Sequence, residues 1–140
     1  RSSYVDYNEK YGSMIEALKN YDSEHYGSKF YRMENTGHRT VCDPMALGEY
    51  GISNSSSLLN SAVIATLGDL GYASHSHWSQ YKGQTPVADS LLGVRYIADS
   101  ADVSAYGYDR ILEDPDTALY GYENKCAIAF LRCQQRYRRA

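Results

Sequence analysis

The sequence has 140 residues, 43% of them hydrophobic and 22% charged, which is enough chain for one domain and excludes a disordered or collagen-like polymer. Lys and Arg number 14 against 17 Asp and Glu, a net charge of −3; because Arg132, Arg136, Arg138 and Arg139 crowd the C-terminus, the body is more acidic still and suits nucleic acid poorly. The longest apolar runs, Ala62–Leu67 and Cys126–Leu131, fall far short of the ~20 residues that span a bilayer, so the piece is expected to be soluble.

Tyr7, Tyr11, Met14, Ile15, Leu18 and Tyr21 recur at helical intervals and predict an amphipathic helix from about Asp6 to about Tyr21. A loop, Asp22–Ser28, leads to a predicted strand, Lys29–Glu34. Gly37 turns the chain within Asn35–Arg39, and Thr40–Cys42 reads as a short strand. Asp43–Ser57 follows neither period and is dense in Gly and Ser, so a structured loop is expected. Leu58, Leu59, Ala62, Val63, Thr66, Leu67 and Leu70 mark one face of a second helix; the Ser and Asn run before it supplies its N-cap and Gly71 its C-terminal cap. Gly71–Thr85 is polar and aperiodic and reads as another loop. Pro86 suits the first turn of a short helix, Val87–Leu92, closed by Gly93. Val94–Ala98 predicts a buried strand, and Tyr106–Leu112 and Thr117–Tyr122 two alternating strands around a turn at Glu113–Asp116. A last turn, Glu123–Lys125, leads into Cys126–Leu131. The expected fold is a single α/β or α+β domain with a mixed sheet, two main helices and a C-terminal antiparallel meander.

Cys42, Cys126 and Cys133 have no C-x-x-C spacing and are odd in number, which argues against both a zinc site and a disulfide framework; at most one bridge could form. The 15 tyrosines, beside two Phe and one Trp, allow two uses: rings that line polar grooves and stack on sugars, or rim aromatics of the core. The terminal arginines suit a solvated terminus, with a lipid-headgroup contact as the other option.

Chemistry is sparsely marked. The run Ser53-Asn54-Ser55-Ser56-Ser57 before a helix would combine free N–H groups with hydroxyls, a site for phosphate or carboxylate, with plain capping as the simpler use. His75-x-His77 with Trp78 could hold a ligand, but a metal would need further donors that no spacing supplies, so neither metal nor cofactor is expected. Glu113, Asp114 and Asp116 surround Pro115 and read as a turn. There is no G-x-S-x-G elbow, Walker loop, G-x-G-x-x-G or H-E-x-x-H motif.

The ordered series Phe30-Tyr31-Arg32-Met33-Glu34, Arg39-Thr40, Asp43-Pro44-Met45, Gly48, Tyr50-Gly51-Ile52-Ser53, Ser56-Ser57-Leu58-Leu59-Asn60, Leu70-Gly71-Tyr72, Thr85-Pro86-Val87, Ser90 to Tyr96 and Tyr122-Glu123-Asn124-Lys125 resembles the extracytoplasmic region of the YfhO family of bacterial membrane proteins over roughly residues 28–131. The resemblance implies a polytopic membrane protein of Gram-positive bacteria, similar to glycosyltransferases of the C superfamily that take sugar from a polyprenyl-phosphate donor and linked to teichoic acid glycosylation outside the membrane. The chain, which starts at Arg1 with no initiator Met or secretory leader, would then be a later external domain, joined to the membrane through flanking spans and carrying no catalytic residue of its own. Its expected role is acceptor contact, to teichoic acid or another phosphate or sugar polymer, through Tyr50, Ser53, Asn54, Ser55, Ser56 and Trp78. The alternative is a scaffold whose surface tyrosines bind protein; a free-standing hydrolase lacks a visible nucleophile–base pair.

Overall fold

The computed structural model describes residues 2–27, 30–37 and 39–128. The arginine tail, Cys133 and the end of the expected segment Cys126–Leu131 lie outside the described residues. In chain order the elements are α1 (Ser2–His25), β1 (Arg32–Asn35), α2 (Asp43–Ala46), β2 (Asn54–Ser55), α3 (Ser61–Asp69), β3 (Ala73–His75), β4 (Trp78–Gln80), α4 (Pro86–Leu91), β5 (Val94–Asp99), β6 (Asp109–Asp114) and β7 (Leu119–Glu123), with a 3-10 turn at Ser104–Tyr106.

The apolar stripe of α1 places Tyr11, Met14, Ile15 and Leu18 against Met33, Tyr96, Ala98 and Leu119 on one face of a four-stranded sheet. The helix lies so close that a Cβ on Gly121 of β7 would stand 2.8 Å from Leu18 Cδ2 and 3.2 Å from Met14 Sδ. It extends past Tyr21, where a loop is expected, because the polar residue that follows is an anchor. Asp22 is buried and accepts hydrogen bonds from the Tyr96 hydroxyl (2.7 Å) and the Arg95 guanidinium (3.5 Å).

The strand order is β1-β5-β7-β6, with β1 and β5 parallel and the other pairs antiparallel, so the sheet is mixed as expected. The C-terminal strands are antiparallel, with β7 lying between β5 and β6. A register shift opposite the Arg32–Met33 step leaves Arg95 as an extra residue in β5, so Val94 and Ile97 share one face while Tyr96 and Ala98 take the other. The second face carries Ile52, Tyr72, Tyr81, Ala88, Tyr108 and Tyr122 and is covered by α4 and a small antiparallel sheet, β2-β4-β3. Cover on both faces explains why β5 is buried almost throughout.

Several expectations need correction. Asp43–Ser57 contains α2 and β2 rather than loop alone, Gly71–Thr85 contains the β3–β4 hairpin, and Thr40–Cys42 is a turn rather than a strand. Glu113 and Asp114 end strand β6, and the turn itself is 115–118. The largest correction concerns α3. Its N-cap is Asn60, whose Oδ1 accepts from the Ala62 N–H at 2.8 Å, not the serine run. Leu58 precedes the helix and is 92% exposed, and Ile64 is the buried residue of α3. Asn60→Ala is therefore expected to cost about 1 kcal/mol in urea unfolding, while Ser57→Ala changes stability by less than about 0.5 kcal/mol. Gly71 does follow the C-cap of α3, at φ 98°, and Thr85 caps α4 just before Pro86.

The tyrosines are mostly core residues, and their hydroxyls serve as donors to buried acids. Tyr7 donates to Asp43 (2.9 Å), Tyr96 to Asp22, and Tyr72, Tyr81 and Tyr108 all to Asp89, which has no exposed surface. In a body short of cations, phenols take the place of Lys and Arg as partners for interior carboxyl groups. Among the described residues no helix is long and apolar enough to cross a membrane, and Cys42 and Cys126 are free thiols.

Candidate functional site

The residues singled out for ligand contact separate into three groups. Ser53 is 4% exposed and spent internally: its N–H donates to Glu34 Oε1 (2.8 Å), and its Oγ donates to Glu34 Oε2 (3.4 Å) and accepts from the Tyr81 N–H (2.8 Å). Asn54 and Ser55 pair with Ser79 and Trp78 across the β2–β4 ladder, and the Ser56 N–H donates to the His77 carbonyl at 2.9 Å. These three and Trp78 therefore lie together, with the His75 ring stacked on Trp78 at 6.4 Å. Tyr50 stands apart, 68% exposed and packed on Phe30 with ring centres 5.2 Å apart. The serine run thus forms a strand and turn, not a hydroxyl-lined helix start, because Asn60 has taken the cap.

Beside this ladder a groove of about 400 Å³ opens between α3, β1 and the small sheet. Ile52, Leu59, Ala62, Val63 and Leu67 make its walls, and Arg32 and Asn54 are its main polar groups. Arg32 leaves β1 on this side, donates to the Leu92 carbonyl and lies over the Phe30 ring at 5.3 Å. Among the described residues no carboxylate pairs with it. Burial pulls its pKa below the ordinary guanidinium value, yet a guanidinium keeps its charge in a protein. A half-buried cation with donors to spare, set in apolar walls, is incompletely compensated and favours an incoming anion.

Behind the groove, Glu34 holds its floor. The side chain lies two residues along β1 from Arg32 and hence on the same face. Its Oε1 accepts the N–H groups of Ile52 and Ser53, folding 51–53 back onto the strand. The fit is tight: a Cβ on Gly51 would come within 2.5 Å of Pro44 Cγ and 2.7 Å of Glu34 Oε1. Desolvation pushes the Glu34 carboxyl up to about 7, the hydrogen bonds from Ser53 and Ile52 offsetting only part of the effect.

Sequence reasoning passed over Arg32 and Glu34. Their one signal was alternation within Phe30-Tyr31-Arg32-Met33-Glu34, which sends Arg32 and Glu34 to the face opposite Met33. Among the described residues no group of three or more His, Cys, Asp or Glu side chains is arranged to hold a metal ion, and His75 and His77 are exposed on the β3–β4 hairpin. The arrangement is equipped to bind an anion attached to an apolar body. A family model described as bacterial membrane protein YfhO matches residues 1–138. No curated protein and no solved structure matches the chain.

Proposed function

Since the match covers nearly its whole length, the chain belongs to the YfhO family of bacterial membrane proteins, and from that premise we propose that it is an extracytoplasmic domain of a C-superfamily membrane glycosyltransferase using a polyprenyl-phosphate sugar donor. Its part is acceptor binding in cell-envelope or teichoic acid glycosylation rather than bond making. The observation that carries this reading is Arg32, a guanidinium without a carboxylate partner among the described residues, in the wall of an apolar groove. Acceptors of this class are phosphate polymers with a lipid-anchored end: phosphate suits the guanidinium, apolar chain suits Ile52, Val63 and Leu67, and Asn54 is placed to bond a neighbouring hydroxyl. Ser55 and Trp78 alternate onto the other face of the β2–β4 ladder from Asn54 and Ser79, so with Ser56 they would meet the acceptor only beyond the groove.

Titrating the chain with geranyl phosphate and with geraniol, followed by NMR shifts of Ile52, Val63 and Leu67, tests it. Saturable binding of the phosphate is expected, about tenfold or more weaker in Arg32→Gln, with little binding of the alcohol. Equal affinity for the two ligands would refute the anion site.

A scaffold role is the second reading, favoured by apolar side chains in solvent around α3: Leu58 at 92% and Val63 at 50% exposure. In cells making the membrane protein, Leu58→Asp would abolish sugar transfer under that reading and Arg32→Gln would not; acceptor binding requires the Arg32→Gln variant to fail.

A further inference from the structure

A second concave region, remote in sequence from the serine run, lies at the carboxyl end of the parallel pair β1 and β5, where ligands of open α/β sheets characteristically bind. Two adjoining hollows of about 330 and 310 Å³ share Thr36, just after β1, and Gln84, just before α4. Each is at the small end of ligand-site volumes and holds one ring-sized molecule. The floor is buried Ile97, Tyr108 and Tyr81, and the outer wall is Tyr106, 66% exposed.

The polar groups here are uncommitted. Thr36, Gln80 and Gln84 are half-buried, yet among the described residues none of their side chains makes a hydrogen bond to the protein. Open to the cleft and free of protein partners, these three groups are available to hydrogen-bond a ligand there. An amide offers a donor and an acceptor side by side, which matches a pair of adjacent hydroxyls on a ring. No carboxylate lines either hollow and Lys82 is the sole charged lining residue, so a metal cation is disfavoured and a neutral ligand, or one with a single anionic substituent, is favoured. An exposed aromatic face beside free amides and a hydroxyl is the recognition chemistry of a sugar ring, whose C–H face packs on the aromatic and whose edge hydroxyls take the hydrogen bonds.

We propose that this cleft is a carbohydrate subsite taking one pyranose in the first hollow, its face against Tyr106 and its hydroxyls bonded by Gln84 and Thr36, with Gln80 in the adjoining hollow placed to bond a substituent of that ring. The subsite is separate from the Arg32 groove and stands on its own geometry.

The test is a titration of the chain with methyl glycosides of glucose, galactose and N-acetylglucosamine, read on the side-chain amide resonances of Gln80 and Gln84, with adenosine as a non-sugar ring. No alkyl phosphate is present, so failure of the groove and failure of this cleft are read separately. At least one glycoside should give saturable shifts in the millimolar range and beat adenosine. Tyr106→Ala and Gln84→Ala, both surface changes whose folding is checked by unchanged thermal unfolding, should each weaken it about tenfold. Absence of saturable shifts with every glycoside, preference for adenosine, or full affinity in Tyr106→Ala would overturn the proposal.

Discussion

Asp89→Ala is expected to lower the unfolding free energy by about 4 kcal/mol or more, a large part of the ~5–15 kcal/mol that holds a domain together. The side chain is fully enclosed; Oδ1 accepts from the Tyr72 hydroxyl (2.6 Å), and Oδ2 from the hydroxyls of Tyr81 (2.5 Å) and Tyr108. Removing it takes the shared acceptor from three buried hydroxyls, at about 1–3 kcal/mol for each that finds no other, and opens a cavity where α4 meets the small sheet. Asp89→Asn keeps one acceptor and one near-isosteric group and should cost roughly half as much. Urea unfolding of the two variants beside wild type checks the order. The same cluster predicts alkaline sensitivity. Burial, and next the bond to Asp89, raise the Tyr72 and Tyr108 hydroxyls above their ordinary 10.0. A group whose folded pKa is raised gives its full stabilisation below the unfolded value and loses it as pH climbs above, so wild type should weaken steadily past pH 10, and Asp89→Ala less so.

The second large effect is at Glu34 and has the opposite dependence on conditions from an ordinary paired carboxylate. Its carboxyl is raised from 4.5 to about 7, chiefly by desolvation, so the folded chain binds a proton that the unfolded chain releases. Stability must then fall as pH rises from about 4.5 to about 7, by about 3 kcal/mol from this residue. Glu34→Gln, which keeps an oxygen for the Ile52 and Ser53 N–H groups, should flatten that slope and leave the variant more stable than wild type at pH 8. Glu34→Ala should lose stability at every pH, by about 1–3 kcal/mol for each amide left without its acceptor. Guanidinium unfolding of all three proteins at pH 5 and pH 8 is the check; an unchanged slope in Glu34→Gln contradicts the assignment.

How much of this was legible in advance follows from what periodicity can carry. The stripe of α1, the Pro86 start of α4 and the apolar run of β5 are long or chemically marked enough to read directly, and the mixed sheet follows from them. Strands β2, β3 and β4 have two or three residues each, too few for any period, and their pairing is set by contacts distant in sequence such as Glu34 with Ser53. A short hydroxyl run is equally a cap and a strand edge, and the choice fell to Asn60, whose amide oxygen reaches the Ala62 N–H. The α3 stripe was visible, but a stripe reveals apolarity, not what covers it: Leu58 and Val63 face solvent beside a groove instead of a core. Arg32 escaped notice because its significance is the carboxylate it lacks, a property of three-dimensional surroundings.

The most direct test of the account is a crystal structure of the chain grown with geranyl phosphate. The phosphate is expected within hydrogen-bonding distance of the Arg32 guanidinium, with the hydrocarbon along Ile52, Val63 and Leu67 beneath α3. A ligand seated elsewhere, or a groove that stays empty while the phosphate saturates another surface, would contradict it.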